Sequence, residues 1–175
     1  DQHDAVIKNN YVVNGSSNLG ALYVKRASNL TVTGNTLVSS NNLVTYYTPS
    51  SKGSITWDNN KYYAGSGSLF KVNDSAKTFD TWKSATGFDK NSTYSSSRPT
   101  SNVIFVKPNK YEAGRGNIVV YNWEKRSSVS VDLSSILKPG DRYKIVDAQN
   151  FFGAPVASGT YDGGSVSLPM NLTAV

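Results

Sequence analysis

Apolar positions recur every 25 residues, without a gap, over the first 75 residues of the chain. Ala5, Leu30 and Ile55 fall in one column. So do Ile7, Val32 and Trp57; Val12, Leu37 and Tyr62; Leu19, Val44 and Leu69; and Leu22, Tyr47 and Val72. Within a repeat the apolar positions alternate with polar ones, as in Leu30-x-Val32, which predicts short strands with one face buried. Thr31, Thr33 and Thr36 take the outward positions, as β-surface residues do. Asn9-Asn10, Gly34-Asn35 and Asn59-Asn60 stand where the chain must turn, because Asn and Gly tolerate left-handed backbone. Asn10, Asn35 and Asn60 are an invariant column. Stacked at the strand spacing of about 4.8 Å, they are expected to bond to one another as a structural ladder.

A period of this size implies a solenoid. Leu30 to Leu37 reads Leu-x-Val-x-x-Asn-x-Leu, which also suits the strand half of a leucine-rich repeat. The remainder of the repeat decides against that alternative. It runs Asn14 to Asn18, Leu19 to Val24, Ala27 to Asn29, which is turn, strand, turn, with no run of helix formers. The leading leucine of the leucine-rich pattern is missing too, since Gln2 and Lys52 stand in its column. The expected fold is therefore all-β: a right-handed parallel β-helix of about three coils.

Beyond the third coil, Thr78 to Gly87 reads as a short helix with Phe79, Trp82 and Ala85 on one face and Gly87 as its stop. It is placed to cover the last apolar layer, so coils and cap together occupy 1–92. Residues 93–102, rich in Ser and Thr and holding Arg98-Pro99, read as a linker. From 103 to 175 six strand-like segments alternate with turn signals such as Gly114-Arg115-Gly116 and Asp162-Gly163-Gly164, which predicts a small antiparallel β-sandwich.

Composition narrows the function classes. There is no cysteine, hence no disulfide and no cysteine-based metal site. The net charge is +6, but the basic residues are scattered apart from Lys25-Arg26 and Lys125-Arg126. No nucleic-acid motif accompanies them, so nucleic acid is not an expected partner. No segment is long and apolar enough to be a membrane-spanning helix. A positive surface suits an anionic polysaccharide.

The first 75 positions resemble bacterial right-handed parallel β-helix repeat proteins of the pectate-lyase-like superfamily. Phe79-x-x-Trp82, Gly87-x-Asp89-x-Asn91-Ser92 looks like the stretch that closes the solenoid in large secreted members. Tyr121-Asn122-Trp123, Val131-Asp132-Leu133, Pro139-Gly140-Asp141-x-Tyr143 and Gly159-Thr160-Tyr161-Asp162-Gly163 are similar to their C-terminal β-sandwich module. The resemblance implies a secreted, extracellular or cell-surface protein that binds or degrades a polysaccharide. In it this chain would be the mainly structural C-terminal portion, below upstream coils or against another subunit. A polysaccharide lyase or a glycoside hydrolase would suit the parent. A non-catalytic adhesin or fibre subunit is the alternative, because this fold hosts both.

The chain itself carries no catalytic motif. Its two glutamates, Glu112 and Glu124, lie outside the repeats, and the acids within them are Asp1, Asp4, Asp58 and Asp74. Calcium needs several converging oxygens, which these do not supply, so neither metal nor cofactor is expected. His3, the only histidine, lies in Asp1-Gln2-His3-Asp4, the edge of a site if one continues upstream. The register puts Tyr47, Trp57 and Tyr62 in core columns. It leaves Tyr11, Tyr23 and Tyr46 facing outward beside Lys8, Asp58 and Lys71, and these six are the candidate carbohydrate contacts.

Overall fold

The computed structural model describes residues 2–15, 19–51, 53–64 and 70–172, with side chains from residue 4 onward. The chain forms two compact units, Asp1–Arg98 and Pro99–Val175. Three parallel sheets build the first. Strands β1 (Gln2–Lys8), β4 (Ala27–Thr33) and β7 (Ile55–Asp58) pair in that order. So do β2 (Tyr11–Asn14), β5 (Thr36–Ser39) and β8 (Lys61–Ala64), and then β3 (Leu22–Lys25), β6 (Val44–Tyr47) and β9 (Phe70–Val72). Each repeat thus adds one strand to each sheet. The inward side chains of all three sheets meet in one core.

In the first two sheets the pairing follows the 25-residue period: Ile7↔Val32↔Trp57 and Val12↔Leu37↔Tyr62. The third sheet departs from it. Leu22 pairs with Val44, 22 residues on, and Val44 with Phe70, 26 on. The corners explain this. Seven residues (15–21) precede β3 and four (40–43) precede β6. On the far side one residue, Arg26, separates β3 from β4, whereas 48–54 separate β6 from β7. The missing residues of one corner reappear at the next, so the period survives while the strand between slides.

A slip by an odd number reverses which side chains face the core. Tyr46, expected outward, is 1% exposed in the core; Tyr47, expected inward, lies on the outer face. Leu19, also assigned to the core, is 61% exposed. Its column partner Leu69 lies outside the described residues.

The corner between the first two sheets is uniform. Asn9, Gly34 and Asn59 all adopt left-handed φ, at 55°, 68° and 57°. At Gly34 a Cβ would also lie 2.3 Å from Asn9 Oδ1. The next residue in each repeat is the asparagine column. Asn35 Oδ1 accepts from Asn10 N and Nδ2, both at 3.0 Å. Asn60 Oδ1 accepts from Asn35 N at 2.9 Å and Nδ2 at 3.1 Å. Asn35 and Asn60 are buried.

Beyond β9 the chain reverses through Asn73-Asp74 into β10 (Ser75–Lys77), which pairs antiparallel with β9. Helix α1 (Phe79–Thr86) follows, capped by the Thr78 side chain on Thr81 N and by Gly87 at φ 74°. Trp82 is fully buried and Ala85 exposed. At 100° per residue, i+6 has rotated off the face that i and i+3 share. Thr93–Ser95, expected in a linker, is instead strand β11, paired in parallel with β8.

In the second unit β12 (Val103–Pro108) pairs antiparallel with β13 (Gly116–Tyr121). Strand β14 (Ser128–Val131) pairs with β17 (Val166–Pro169), and β15 (Arg142–Ile145) with β16 (Ala157–Thr160). Val129, Val131, Leu133, Leu137, Tyr161 and Leu168 form its own core.

The ladder sets a measurable dependence. Asn35→Ala leaves the buried Asn60 Oδ1 short of a donor and should lower the unfolding free energy by about 1–3 kcal/mol. Asn35→Asp, which places a charge among neutral amides, should lower it further. Urea unfolding of the two variants checks the order.

Candidate functional site

On the outer face of the third sheet the exposed Tyr23 and the half-buried Tyr47 lie side by side. Tyr23, Thr45 and Lys71 share one row of the pairing, and Lys25 stands opposite Tyr47 in the next. The Tyr23 and Tyr47 rings are 5.8 Å apart and inclined at 54°. Lys25 Nζ lies 5.3 Å from the centre of the Tyr47 ring. The Tyr47 hydroxyl donates to the Asp74 carboxylate. Asp74 is held there by the β9–β10 turn, where Asn73 and Asp74 have φ of 46° and 66°. Thr48 fastens that turn: its N–H donates to Asn73 Oδ1, and Asn73 Nδ2 donates to its hydroxyl, both at 3.0 Å. Chiefly because of its bond to Asp74, the Tyr47 phenol is pushed up to about 12. The patch offers two ring faces for stacking and the ammonium groups of Lys25 and Lys71 for charge-assisted hydrogen bonds.

The six side chains expected to contact carbohydrate do not converge. Tyr46 is in the core. Tyr11 lies on the second sheet, in the row Tyr11↔Thr36↔Lys61. Lys8 and Asp58 lie on the first, in the row Lys8↔Thr33↔Asp58. Asp58 is engaged by the segment after the helix, accepting from Asn91 N at 2.7 Å and Asn91 Nδ2 at 2.8 Å. Burial raises its pKa, but those bonds and one from Asn59 outweigh it and hold the carboxyl below its usual value. Tyr23 and Lys71 share a row of the third sheet, so the six are spread over three sheets and the core. Tyr47, Lys25 and Asp74 were missed because the slipped register hides which face Tyr47 takes. The side chain of His3 lies outside those described.

A second constellation, built on Trp82, Asp89 and Ser92 of the closing stretch, is buried. Asp89, fully buried and with φ of 56°, receives four hydrogen bonds from side chains on separate segments. Oδ1 accepts from Asn60 Nδ2 at 3.2 Å and from Ser92 Oγ at 2.5 Å. Oδ2 accepts from Tyr62 Oη at 2.9 Å and from Trp82 Nε1 at 2.8 Å. Tyr62 Oη in turn accepts from Trp57 Nε1 at 2.9 Å. The asparagine ladder therefore ends on this carboxylate, while Ser92 Oγ takes the Asn60 N–H at 2.8 Å. Burial pushes the Asp89 carboxyl above 3.8, outweighing the four donors. The same burial pushes the Tyr62 phenol well above its ordinary value. Enclosed by Trp57, Tyr62 and Trp82, Asp89 fastens the closing segment to the last repeat.

Among the described residues no three His, Cys, Asp or Glu side chains are grouped to hold a metal ion, and no helix is long and apolar enough to cross a membrane. Compared with protein-family profiles, curated proteins and solved structures, the chain matches none.

Two titrations test these assignments. A carboxyl whose folded pKa is raised contributes stability below its unfolded value and loses that contribution as pH rises through the folded value. The melting temperature of the wild type should therefore fall, relative to that of Asp89→Asn, as pH rises from about 4. Parallel melting curves at every pH would remove the assignment. For Tyr47, the bond to Asp74 exists only while the phenol is protonated, so its contribution disappears as pH rises through about 12. Near-ultraviolet titration should show several late-ionising phenols, one fewer in Tyr47→Phe and one shifted down in Asp74→Asn.

Proposed function

We propose that the first unit is the closing end of a right-handed parallel β-helix and the second a β-sandwich module. Together they form the C-terminal portion of a secreted protein that binds or degrades a polysaccharide. The outer face of the third sheet is the sugar contact in this reading. One observation carries it: the exposed Tyr23 and half-buried Tyr47 stand side by side on the outer sheet face, flanked by Lys25 and Lys71, with Tyr47 pinned by Asp74. Pre-ordered aromatic faces stack on the C–H faces of sugar rings with little ordering cost, and adjacent ammonium groups bind carboxylates or hydroxyls. In this reading the patch holds a chain by stacking and hydrogen bonds.

The fibre or adhesin reading rests on a different feature. Ala5, Ile7, Val12 and Leu22 of the first repeat are only partly buried, whereas Leu30, Val32, Leu37 and Val44 directly below are 0–2% exposed. An apolar layer of this kind takes a further layer, from upstream coils of the same polypeptide or from another subunit. Affinity gel electrophoresis on immobilised polygalacturonate and on a neutral glucan separates the readings. The sugar reading expects retardation that Tyr23→Ala and Tyr47→Ala each weaken about tenfold, or ~1.4 kcal/mol. Migration unchanged on both matrices, with concentration-dependent self-association, would favour the fibre.

A further inference from the structure

The second unit contains a cleft of about 440 Å³ between two strands that do not pair with each other. Asn102 and Ile104 form one wall, from the start of β12. Arg126 and residues 127–130 form the other, along β14. Each of these strands has a partner on one side only: β13 for β12, and β17 for β14.

The directions of their backbone groups follow from the pairing. In an antiparallel ladder every second residue exchanges both of its hydrogen bonds with the strand opposite, and the residues between point the other way. Asn109 N bonds Arg115 O in the β12–β13 register, so 107, 105 and 103 face β13 while Ile104 and Val106 face away. Met170 N bonds Ser127 O in the β14–β17 register, so Val129 faces β17 while Ser128 and Ser130 face away. The cleft is thus walled by the outward-directed amides and carbonyls of Ile104 on one side and of Ser128 and Ser130 on the other. Two such groups on β14 are two residues apart, the repeat of an extended chain.

We infer that this cleft is a binding site for an extended peptide, which enters as an added strand against β14. No aromatic side chain lines the cleft for stacking a sugar ring, whereas an extended backbone repeats its donors and acceptors at that two-residue spacing. Ile104 and the buried Val129 supply an apolar floor for alternate side chains of the ligand. Arg126 fixes the polarity of one end. Its Nε donates to Glu124 Oε2 at 2.8 Å, and Glu124 Oε1 accepts from Asn102 N at 3.2 Å. That carboxylate holds the guanidinium by one edge, and the donors of its other edge stay available to a ligand carboxylate. The peptide class is therefore alternating apolar and polar residues with an acidic residue or a C-terminal carboxylate placed at Arg126. This inference is independent of the sugar patch on the first unit.

The probe is an eight-residue peptide of alternating valine and threonine with a free C-terminal carboxylate. Its controls are the same peptide N-methylated along one edge, its C-terminal amide, and an oligogalacturonate. Amide hydrogen exchange on the full chain should show Ile104, Ser128 and Ser130 exchanging fast when free and slowly with the peptide. Val129 should be protected throughout. N-methylation should weaken binding about tenfold or more, amidation by less. Ser130→Pro, which deletes only a cleft-facing N–H, should abolish protection at Ser128 while melting near the wild type. Four results would overturn the inference: Ile104, Ser128 and Ser130 already protected in the free protein; no added protection at millimolar peptide; equal binding of the N-methylated peptide; or the same amides protected by the oligogalacturonate, which would make the cleft a sugar subsite.

Discussion

The first unit depends on how a line of amide hydrogen bonds is brought to an end. Asn10, Asn35 and Asn60 pass donors down the stack in one direction, each side-chain carbonyl accepting from the residue one repeat earlier. The last of them gives one Nδ2 proton to Val32 O at 3.0 Å and needs an acceptor for the other in a buried place, where an unmet donor costs about 1–3 kcal/mol. A fourth asparagine would only pass the need along. Asp89 ends it, because a carboxylate accepts on both oxygens and donates nothing.

The same residue closes the core. Three core columns that are aliphatic in the first two repeats become aromatic in the third: Ile7, Val32, Trp57; Val12, Leu37, Tyr62; Leu22, Val44, Phe70. Wide rings suit a layer that helix α1 must cover. Trp57 stacks on Phe88 at 5.4 Å, nearly parallel, while Phe70 meets Trp82 and Phe79 at 5.4 Å. Burying Trp and Tyr leaves polar tips to satisfy. The indole N–H of Trp82 reaches Asp89 directly, and that of Trp57 reaches it through Tyr62. Apolar closure and polar termination therefore share one carboxylate.

Much of this was legible beforehand for a physical reason: in two of the three sheets the strand spacing equals the repeat of the sequence. The columns through Val32 and Leu37, the turn at Asn9, Gly34 and Asn59, and the helix stop at Gly87 could all be read from single positions. The third sheet could not. Its corners exchange lengths, and the adjacent residues Tyr46 and Tyr47 are chemically alike, so nothing local says which one faces in. Trp82, Asp89 and Ser92 stand together in the closing stretch that the sequence marks, but Asp89 as a common acceptor was illegible, because Asn60 and Tyr62 of the third repeat join it only in the folded chain. Strand β11 was hidden by composition: Thr93, Tyr94 and Ser95 read as a polar tract, yet they pair with β8 at the rim, where outward polarity is no obstacle.

The exchange of corner lengths bears on how such a molecule can vary. Residues lost before β6 and regained after it leave the other two sheets, and the asparagine line between them, untouched. The third sheet can then present a new set of side chains without any change in the repeat length that holds the stack together. Insertions and deletions balanced across those two corners act as a dial on one surface. That surface is the one carrying Tyr23, Tyr47 and Lys71, so the corners, rather than the repeat, decide which side chains it shows to solvent.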